Sequence, residues 1–285
     1  MERFISDFGM APFRDAGSLY GRGLTSSAYL HVTDLGEPAF RALGLMAPSL
    51  EELREFANRY ECEVTPSSRP GGGWVVEQTD PDGYLIEIVA GQAQVERREP
   101  SRDVGWNDAI AKSRIRAVKR VGNRPSQVVR MGHCVLGVSD FRRSEQWYKE
   151  RFGFITSDEI VLPDGKSIGA FLRCDRGDEP TDHHSLFLIQ GIRGVGFNHA
   201  AFEIVDADDL FAGHEWLSGA GWKPHWGIGR HLLGSQIFDY WRDPWGHALE
   251  HWTDGDLLVA ADGSRTASLV ELTSVQWGHQ APHAA

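Results

Sequence analysis

Apolar and polar side chains alternate along the run from Phe238 to Trp252, FDYWRDPWGHALEHW, and the alternation breaks only in its middle. FDYW reads as a strand, DPWGH as a tight turn with Gly246 where positive φ is needed, and ALEHW as the returning strand. On the returning strand Ala248, Glu250 and Trp252 share one face, while Leu249 and His251 take the other. Glu250 is therefore expected among apolar neighbours, a costly place for a carboxylate unless it is paired or binds a cation. An outward-facing strand carboxylate is the bland alternative, and this run alone does not choose between them.

The same patterning recurs upstream. MERFISDFGM at the start has helical apolar spacing and stops at Gly9, as FRRSEQWYKERFGF (residues 141–154) stops at Gly153. ALGLMAPSLEEL (Ala42 to Leu53) aligns without gaps on HAAFEIVDADDL (His199 to Leu210), each a short strand running into a helix. DPDGYLIE (Asp80 to Glu87) aligns on DPWGHALE (Asp243 to Glu250). Three matches in one order imply two copies of one architecture.

In the C-terminal copy, RMGHCVLGVSD is a strand and FRRSEQWYKERFGF the helix after it, followed by a meander through SIGAFLRCD and HHSLFLIQG. GFNHAAFEIVD, the helix ADDLFAGHEWLSGAG, then KPHWGIGRH, QIFDYWRD and HALEHWTD repeat that order. The predicted fold class is α+β, built of tandem β-α-β-β-β units, two per domain, whose strands curl around a central pocket. The expected division is an N-terminal domain over 1–91, a basic connector over 92–130, a C-terminal domain over 131–256 and a tail over 257–285. In that tail SLVELTSVQW is expected to be a strand, with Trp277 over the pocket mouth.

The N-terminal copy has the same form except that its opening strand is not in the chain. Its helix keeps an apolar face suited to a full sheet. Two outcomes are open: the natural chain starts upstream of Met1, which is the preferred expectation, or another segment or subunit covers the exposed edge.

Composition narrows the function classes. Apolar residues make up 41% and charged residues 24%, ordinary for a globular protein, so a full core is available. The net charge of −11 repels nucleic acid and acidic membranes, and the basic connector is expected to pair with acidic surfaces of its own chain. No window approaches 18 consecutive apolar residues and the start lacks a basic-then-apolar leader, so a cytoplasmic protein is expected. Cys62, Cys134 and Cys174 show no paired spacing and read as idle thiols.

Twelve histidines carry more information, because several lie in short strands. His133 is on the first strand of one unit, His199 on the first strand of the next, and Glu250 on the last strand of that second unit. If the strands curl as proposed, all three point into one pocket. Two imidazoles and a carboxylate leave coordination positions open, the facial arrangement of non-haem Fe(II) oxygenases. Taken singly, each histidine is equally readable as a satisfied core residue. The repeat supplies a control, since Ala42 stands at the position of His199 and only Glu87 remains, opposite Glu250. The C-terminal copy is therefore the expected metal binder. His184, His231 and Tyr240 are candidates to pass protons and to hydrogen-bond a developing oxyanion, with aromatic packing the plain alternative for Tyr240. His183, next to His184, is expected to face the other way. His214, His225, His247 and His251 are read as structural or exposed.

The stretches GHCVLGVSDFRRSEQWYKERFGF, DHHSLFL, GFNHAAFEI, GRH and FDYWRDPWGHALEHW together resemble the type I extradiol ring-cleaving dioxygenases of the vicinal oxygen chelate superfamily. The resemblance covers most of the chain and implies two vicinal-oxygen-chelate domains, an inactive N-terminal one lacking its first strand and an active C-terminal one. It implies His133, His199 and Glu250 as ligands of Fe(II), with Mn(II) the alternative, and O2 as co-substrate. It makes His184 the acid-base residue, with His231 and Tyr240 hydrogen-bonding to the bound diol. The implied reaction is extradiol cleavage of a catechol-type diol to a ring-opened semialdehyde or keto acid, in aromatic catabolism. The implied partners are that small diol and further copies of the chain in a homo-oligomer.

Trp226, Phe238 and Trp245 are near enough in sequence to flank the ring. One departure bears on substrate: several relatives carry Asp three residues after the counterpart of His231, where this chain has Gly234. Two alternatives use the same units. A glyoxalase-like isomerase, epimerase or thiol transferase has no reason to keep His184, His231 and Tyr240 together. A metal-free ligand-sequestering protein of the bleomycin-resistance kind has no need of His133, His199 and Glu250.

Overall fold

The computed structural model describes residues 1–101, 105–191 and 194–282, so the expected connector and the tail each run partly outside them. The N-terminal copy comprises α1 (Glu2–Asp7), β1 (Ala11–Asp15), β2 (Ser18–Arg22), β3 (His31–Thr33), β4 (Ala42–Met46), α2 (Leu50–Arg59), β5 (Thr65–Pro66), β6 (Trp74–Thr79) and β7 (Leu85–Ala90). The C-terminal copy comprises β8 (Val128–Val138), α3 (Phe141–Phe152), β9 (Phe154–Val161), β10 (Ser167–Cys174), β11 (Thr181–Asp182), β12 (Leu186–Gln190), β13 (Gly196–Ile204), α4 (Ala207–Gly219), β14 (Lys223–His231), β15 (Ile237–Arg242) and β16 (Ala248–Thr253). The tail adds β17 (Leu257–Leu258), β18 (Arg265–Ser268), α5 (Leu269–Thr273) and β19 (Val275–Gly278). Among the described residues no helix is long and apolar enough to cross a membrane.

Helix starts follow the polar residues that precede each apolar run. The side chains of Ser49, Asp140 and Asp206 accept backbone N–H groups at the starts of α2, α3 and α4. The two DPxG turns are built alike. Asp80 Oδ1 accepts from the N–H groups of Asp82 and Tyr84 at 2.9 Å each, and Asp243 Oδ1 from those of Trp245 at 2.8 Å and His247 at 2.9 Å. Strand register repeats as well: β4 and β7 run parallel with Ala42 opposite Leu85, and β13 and β16 run parallel with His199 opposite Ala248.

The copies differ where the N-terminal one lacks its opening strand. In the C-terminal copy β8 pairs with β12 on one side and β13 on the other, joining both units into a ten-stranded sheet of order β18-β9-β10-β12-β8-β13-β16-β15-β14-β19. The N-terminal copy forms two separate sheets, β1-β2-β3 and β4-β7-β6-β5. A counterpart of β8 would stand between β3 and β4, and among the described residues no strand takes that place.

The cores cross between the copies. One contains Leu53 of α2 and Ile86 of β7 with Leu136 of β8 and Tyr148 of α3. The other contains Phe4 and Ile5 of α1 with Phe202 of β13, Leu217 of α4 and Leu249 of β16. Each side chain of this second group is buried at a gain of about 1.5–3 kcal/mol, so α1 is held by the sheet of the other copy. Alternation along β16 explains the fit. Leu249 and His251 face α1, where the His251 ring stacks on Phe8 at 3.8 Å and Nε2 donates to the Phe8 carbonyl at 2.7 Å. Glu250 is thereby turned to the concave side.

The expected strand SLVELTSVQW is corrected. Ser268 caps Glu271 in a reciprocal capping box, so the first half is the short helix α5 and only Val275–Gly278 is a strand. The hydroxyl and the carboxylate three residues on satisfy two helix-start donors, and this outweighs the β-propensity of the valine and leucine.

Residues of the basic connector pair with acidic residues of α4. Lys119 meets Asp208, and Arg124 meets the buried Asp209, whose other oxygen accepts the Gln127 N–H at 2.7 Å. Asp209→Ala strands that N–H and the Arg124 guanidinium. It is expected to lower unfolding free energy by about 2 kcal/mol, read from urea denaturation, with faster proteolysis between residues 105 and 127. A variant with parental stability and an equally resistant connector would show that the docking carries no weight.

Candidate metal centre

Four strands of the C-terminal sheet deliver side chains to its concave face because period-2 alternation aims every second residue inward. On β8 Cys134, Leu136 and Val138 enter a core and His133 points the other way. On β13 Ala200, Phe202 and Ile204 are core and His199 is inward. On β15 Ile237 and Trp241 are core, leaving Phe238 and Tyr240 facing in, and Tyr240 lies directly across from Glu250 on β16.

The ligating atoms of His133, His199 and Glu250 all lie within 4.8 Å of one another. His133 Nε2 is 3.1 Å and His199 Nε2 3.3 Å from Glu250 Oε2, and His231 Nε2 is 3.6 Å from Oε1. Glu250 therefore stands among imidazoles, and its expected face neighbours Ala248 and Trp252 are buried with it.

Charge states suit a cation. Burial alone would raise the Glu250 carboxyl, but the hydrogen-bonded His133 and the nearby imidazoles of His199 and His231 hold it well below the usual carboxylate range. Burial pushes His133 down, with Glu250 opposing, and pushes His184 well down, helped by His133 and His183. Buried Glu250 Oε1 and His199 Nε2 have no hydrogen-bond partner among the described residues. A buried carboxylate oxygen and a buried imidazole nitrogen left unpaired are costly, and one divalent cation between them satisfies both. Neutral imidazole and ionised carboxylate are also the protonation states that metal binding requires.

The remaining candidates surround this cluster. The His184 ring lies against His133 with centroids 4.0 Å apart. His231 Nε2 is 3.0 Å from the Tyr240 hydroxyl. Burial and then Glu250 raise the Tyr240 phenol well above its usual value, so it remains an O–H donor. Trp226 stacks on Tyr240 at 5.3 Å and Phe238 on His231 at 4.1 Å, so both flank the site. Trp245 stands exposed in the turn, and Trp277 is exposed with the Arg230 guanidinium over it. The structure thus brings together all six residues selected from sequence.

His183 does not face away from His184. The two Nδ1 atoms are 3.1 Å apart, and His183 Nε2 is 2.7 Å from Asp158 Oδ2. The reason is local: β11 ends at Asp182 and β12 begins at Leu186, so the pair sits in a bend where strand alternation does not apply. Asp158 was invisible to pattern reading, although an acid inside FITSDEIV was a signal. Asn198, adjacent to His199 in sequence, places its side-chain oxygen 2.9 Å from His199 Nδ1. Three further histidines make structural contacts: His214 meets Asp239, His247 meets Asp243 and His225 meets Arg242.

The N-terminal counterpart holds different chemistry. Glu77 occupies the cross-strand place of Tyr240, opposite Glu87. Burial raises the Glu87 carboxyl and the Arg69 guanidinium opposes that rise. Arg69 itself forms a two-pronged pair with Asp34, at 2.9 and 3.0 Å. Among the described residues no group of three ligating side chains gathers around Glu87.

Comparison with known proteins follows the same lines. The profile of the Glyoxalase/Bleomycin resistance protein/Dioxygenase superfamily matches residues 130–251. The chain is 30% identical to metapyrocatechase 2 of Cupriavidus necator over 289 aligned positions, spanning 99% of this chain and 85% of that protein. It superposes on the Mn(II)-bound glyoxalase from Novosphingobium aromaticivorans with a TM-score of 0.75 at 22% identity, covering 100% of this chain and 89% of the other. It also superposes on a homoprotocatechuate 2,3-dioxygenase variant from Brevibacterium fuscum, with a TM-score of 0.75 at 18% identity, covering 94% and 71%. At these identities the two structures speak for the fold alone.

Proposed function

Because the chain belongs to the extradiol dioxygenases of the glyoxalase/bleomycin resistance protein/dioxygenase superfamily, we propose that it opens the ring of a catechol-type diol beside its two hydroxyls, consuming O2. The product is a ring-opened semialdehyde or keto acid. The observation that carries the reading is the cluster of buried His133 and Glu250 with half-buried His199, ringed by His184, His231 and Tyr240, none of which is needed to complete the ligand set. We further propose Fe(II) as the metal, since two imidazoles and one carboxylate with open positions suit it. A divalent ion in this set supplies Lewis acidity and an electron path between ring and dioxygen.

The residues of the chain do the rest. Neutral His184, beside His133 but outside the ligand set, is placed to take the proton released as the diol ionises and to return one when the ring opens. Tyr240, kept protonated, donates to charged substrate oxygen, and His231 at 3.0 Å fixes the direction of its hydroxyl. The aromatic rings of Trp226 and Phe238 close the sides and limit water beside the developing charge.

The test is metal analysis of anaerobically purified protein, then oxygen uptake with a panel of catechols after reconstitution with Fe(II) or Mn(II). About one metal per chain and uptake matching the diol consumed are expected. Turnover without uptake would replace the reading by a glyoxalase-type isomerisation, and no metal with tight ligand binding would replace it by sequestration.

A further inference from the structure

Resting on the reading of His184 as the proton-handling residue, we propose that Asp158 and His183 are positioning residues that fix His184 in one tautomer, with Nδ1 protonated and Nε2 bare. The three groups form a line from β9 to the site. Asp158 Oδ2 is 2.7 Å from His183 Nε2, and His183 Nδ1 is 3.1 Å from His184 Nδ1. All three residues are buried, so water does not compete for these atoms.

Hydrogen-bond logic sets the protons. An ionised carboxylate only accepts, so His183 carries its proton on Nε2. The Nδ1 of a neutral His183 then has a lone pair, and the facing His184 Nδ1 must be the donor. That leaves Nε2, across the ring, as the nitrogen free to accept a proton. A doubly protonated His183 would instead put the donor on its own Nδ1 and leave His184 Nδ1 bare. The fully buried Arg173, whose Nη1 donates to Ser157 Oγ at 2.8 Å, already sets a cation in the field of Asp158. Phe171 packs against both imidazoles, with centroids 5.2 Å and 4.7 Å away.

Two further contacts hold the line in place. Ser157 Oγ donates to the His183 carbonyl at 2.6 Å, and the His183 N–H donates to the Asp256 carbonyl at 3.0 Å. Gly234 has φ +77°, and a Cβ there would lie 3.0 Å from His183 Nδ1. A side chain at that position would press on the atom that receives the His184 proton.

The experiment has two arms. Nitrogen spectra of 15N-histidine-labelled protein loaded with diamagnetic Zn(II) should show His184 protonated at Nδ1, and Asp158→Asn, which lets an amide donate to His183, should move that proton to Nε2. In the Fe(II)-loaded protein His183→Leu should lower kcat by about 10²-fold, the scale of acid-base catalysis, with metal content and KM for catechol little changed. His183→Asn, whose amide oxygen replaces the Nδ1 acceptor, should recover most of the loss. A parental His184 protonated at Nε2 overturns the proposal, as does equal kcat in His183→Leu and His183→Asn. The spectra need no turnover, so a parent with the Nδ1–H form that opens no catechol supports the tautomer assignment and defeats the functional reading alone. If Asp158→Asn does not fold, the His183 pair carries the test unaided.

Discussion

His199→Ala is expected to yield a folded protein that retains no divalent metal after anaerobic purification and desalting, with ring cleavage reduced to background. In the proposed ligand set His199 is one of three, and its Nε2 is a buried nitrogen without another partner, so the substitution would remove a donor that nothing nearby replaces. Loss of a group merely touching a ligand costs about 10- to 100-fold in metal affinity, and loss of a ligand must exceed that. The fold should persist because His199 faces the cavity while Ala200 and Phe202, its strand neighbours, hold the core. The measurement is metal per chain by elemental analysis, beside the thermal midpoint. The reciprocal substitution Ala42→His should bind no second ion, since among the described residues no group of ligating side chains gathers around Glu87 and Arg69 lies in its field. Full metal occupancy in His199→Ala would sink the ligand assignment.

His184→Phe should keep the metal and bind catechol, yet turn over more slowly by roughly 10²-fold or more, the usual contribution of acid-base catalysis. Phenylalanine is close in shape and fits beside Phe171, which already packs edge-on against His184 at 4.7 Å. The loss is therefore chemical and not steric. Anaerobic binding of catechol, compared with kcat in air-saturated buffer, separates the two. Tyr240→Phe removes one hydrogen bond to charged oxygen, worth about 1.5 to 3 kcal/mol, and is expected to be the milder change. Parental turnover by His184→Phe would mean that protons move by another route.

How much of this was legible in the sequence depended on strand regularity. Tyr240 and Glu250 face each other across an evenly paired hairpin, and His133 and His199 lie on strands long enough to keep a period-2 reading despite register shifts in their pairing. The repeat also located the turn aspartates, Asp80 and Asp243, whose side chains make matching bonds. His183 was misplaced because it sits in a bend between two strands, where neighbours no longer point in opposite directions. Asp158 could be connected to it only through the pairing of β9 with β10, which brings residues from opposite ends of a meander together. The split of the N-terminal sheet and the sharing of each core between the two copies depend on which faces are left uncovered. A one-dimensional pattern does not state that. The tail helix was lost to a capping box that propensity ignores.

The docking of α1 against the far copy bears on how quickly the protein can form. His251 and the Phe8 carbonyl, bonded at 2.7 Å, are separated by 243 positions along the chain. Contacts that join such distant segments raise contact order, and the loop they close must lose its freedom before the contact rewards it. On the ribosome, the apolar side of α1 emerges long before β16 exists to receive it. The sheet that presents Glu250 is thus completed late in synthesis, and until then Phe4 and Phe8 are exposed to mispairing, the interval in which chaperone capture would matter most.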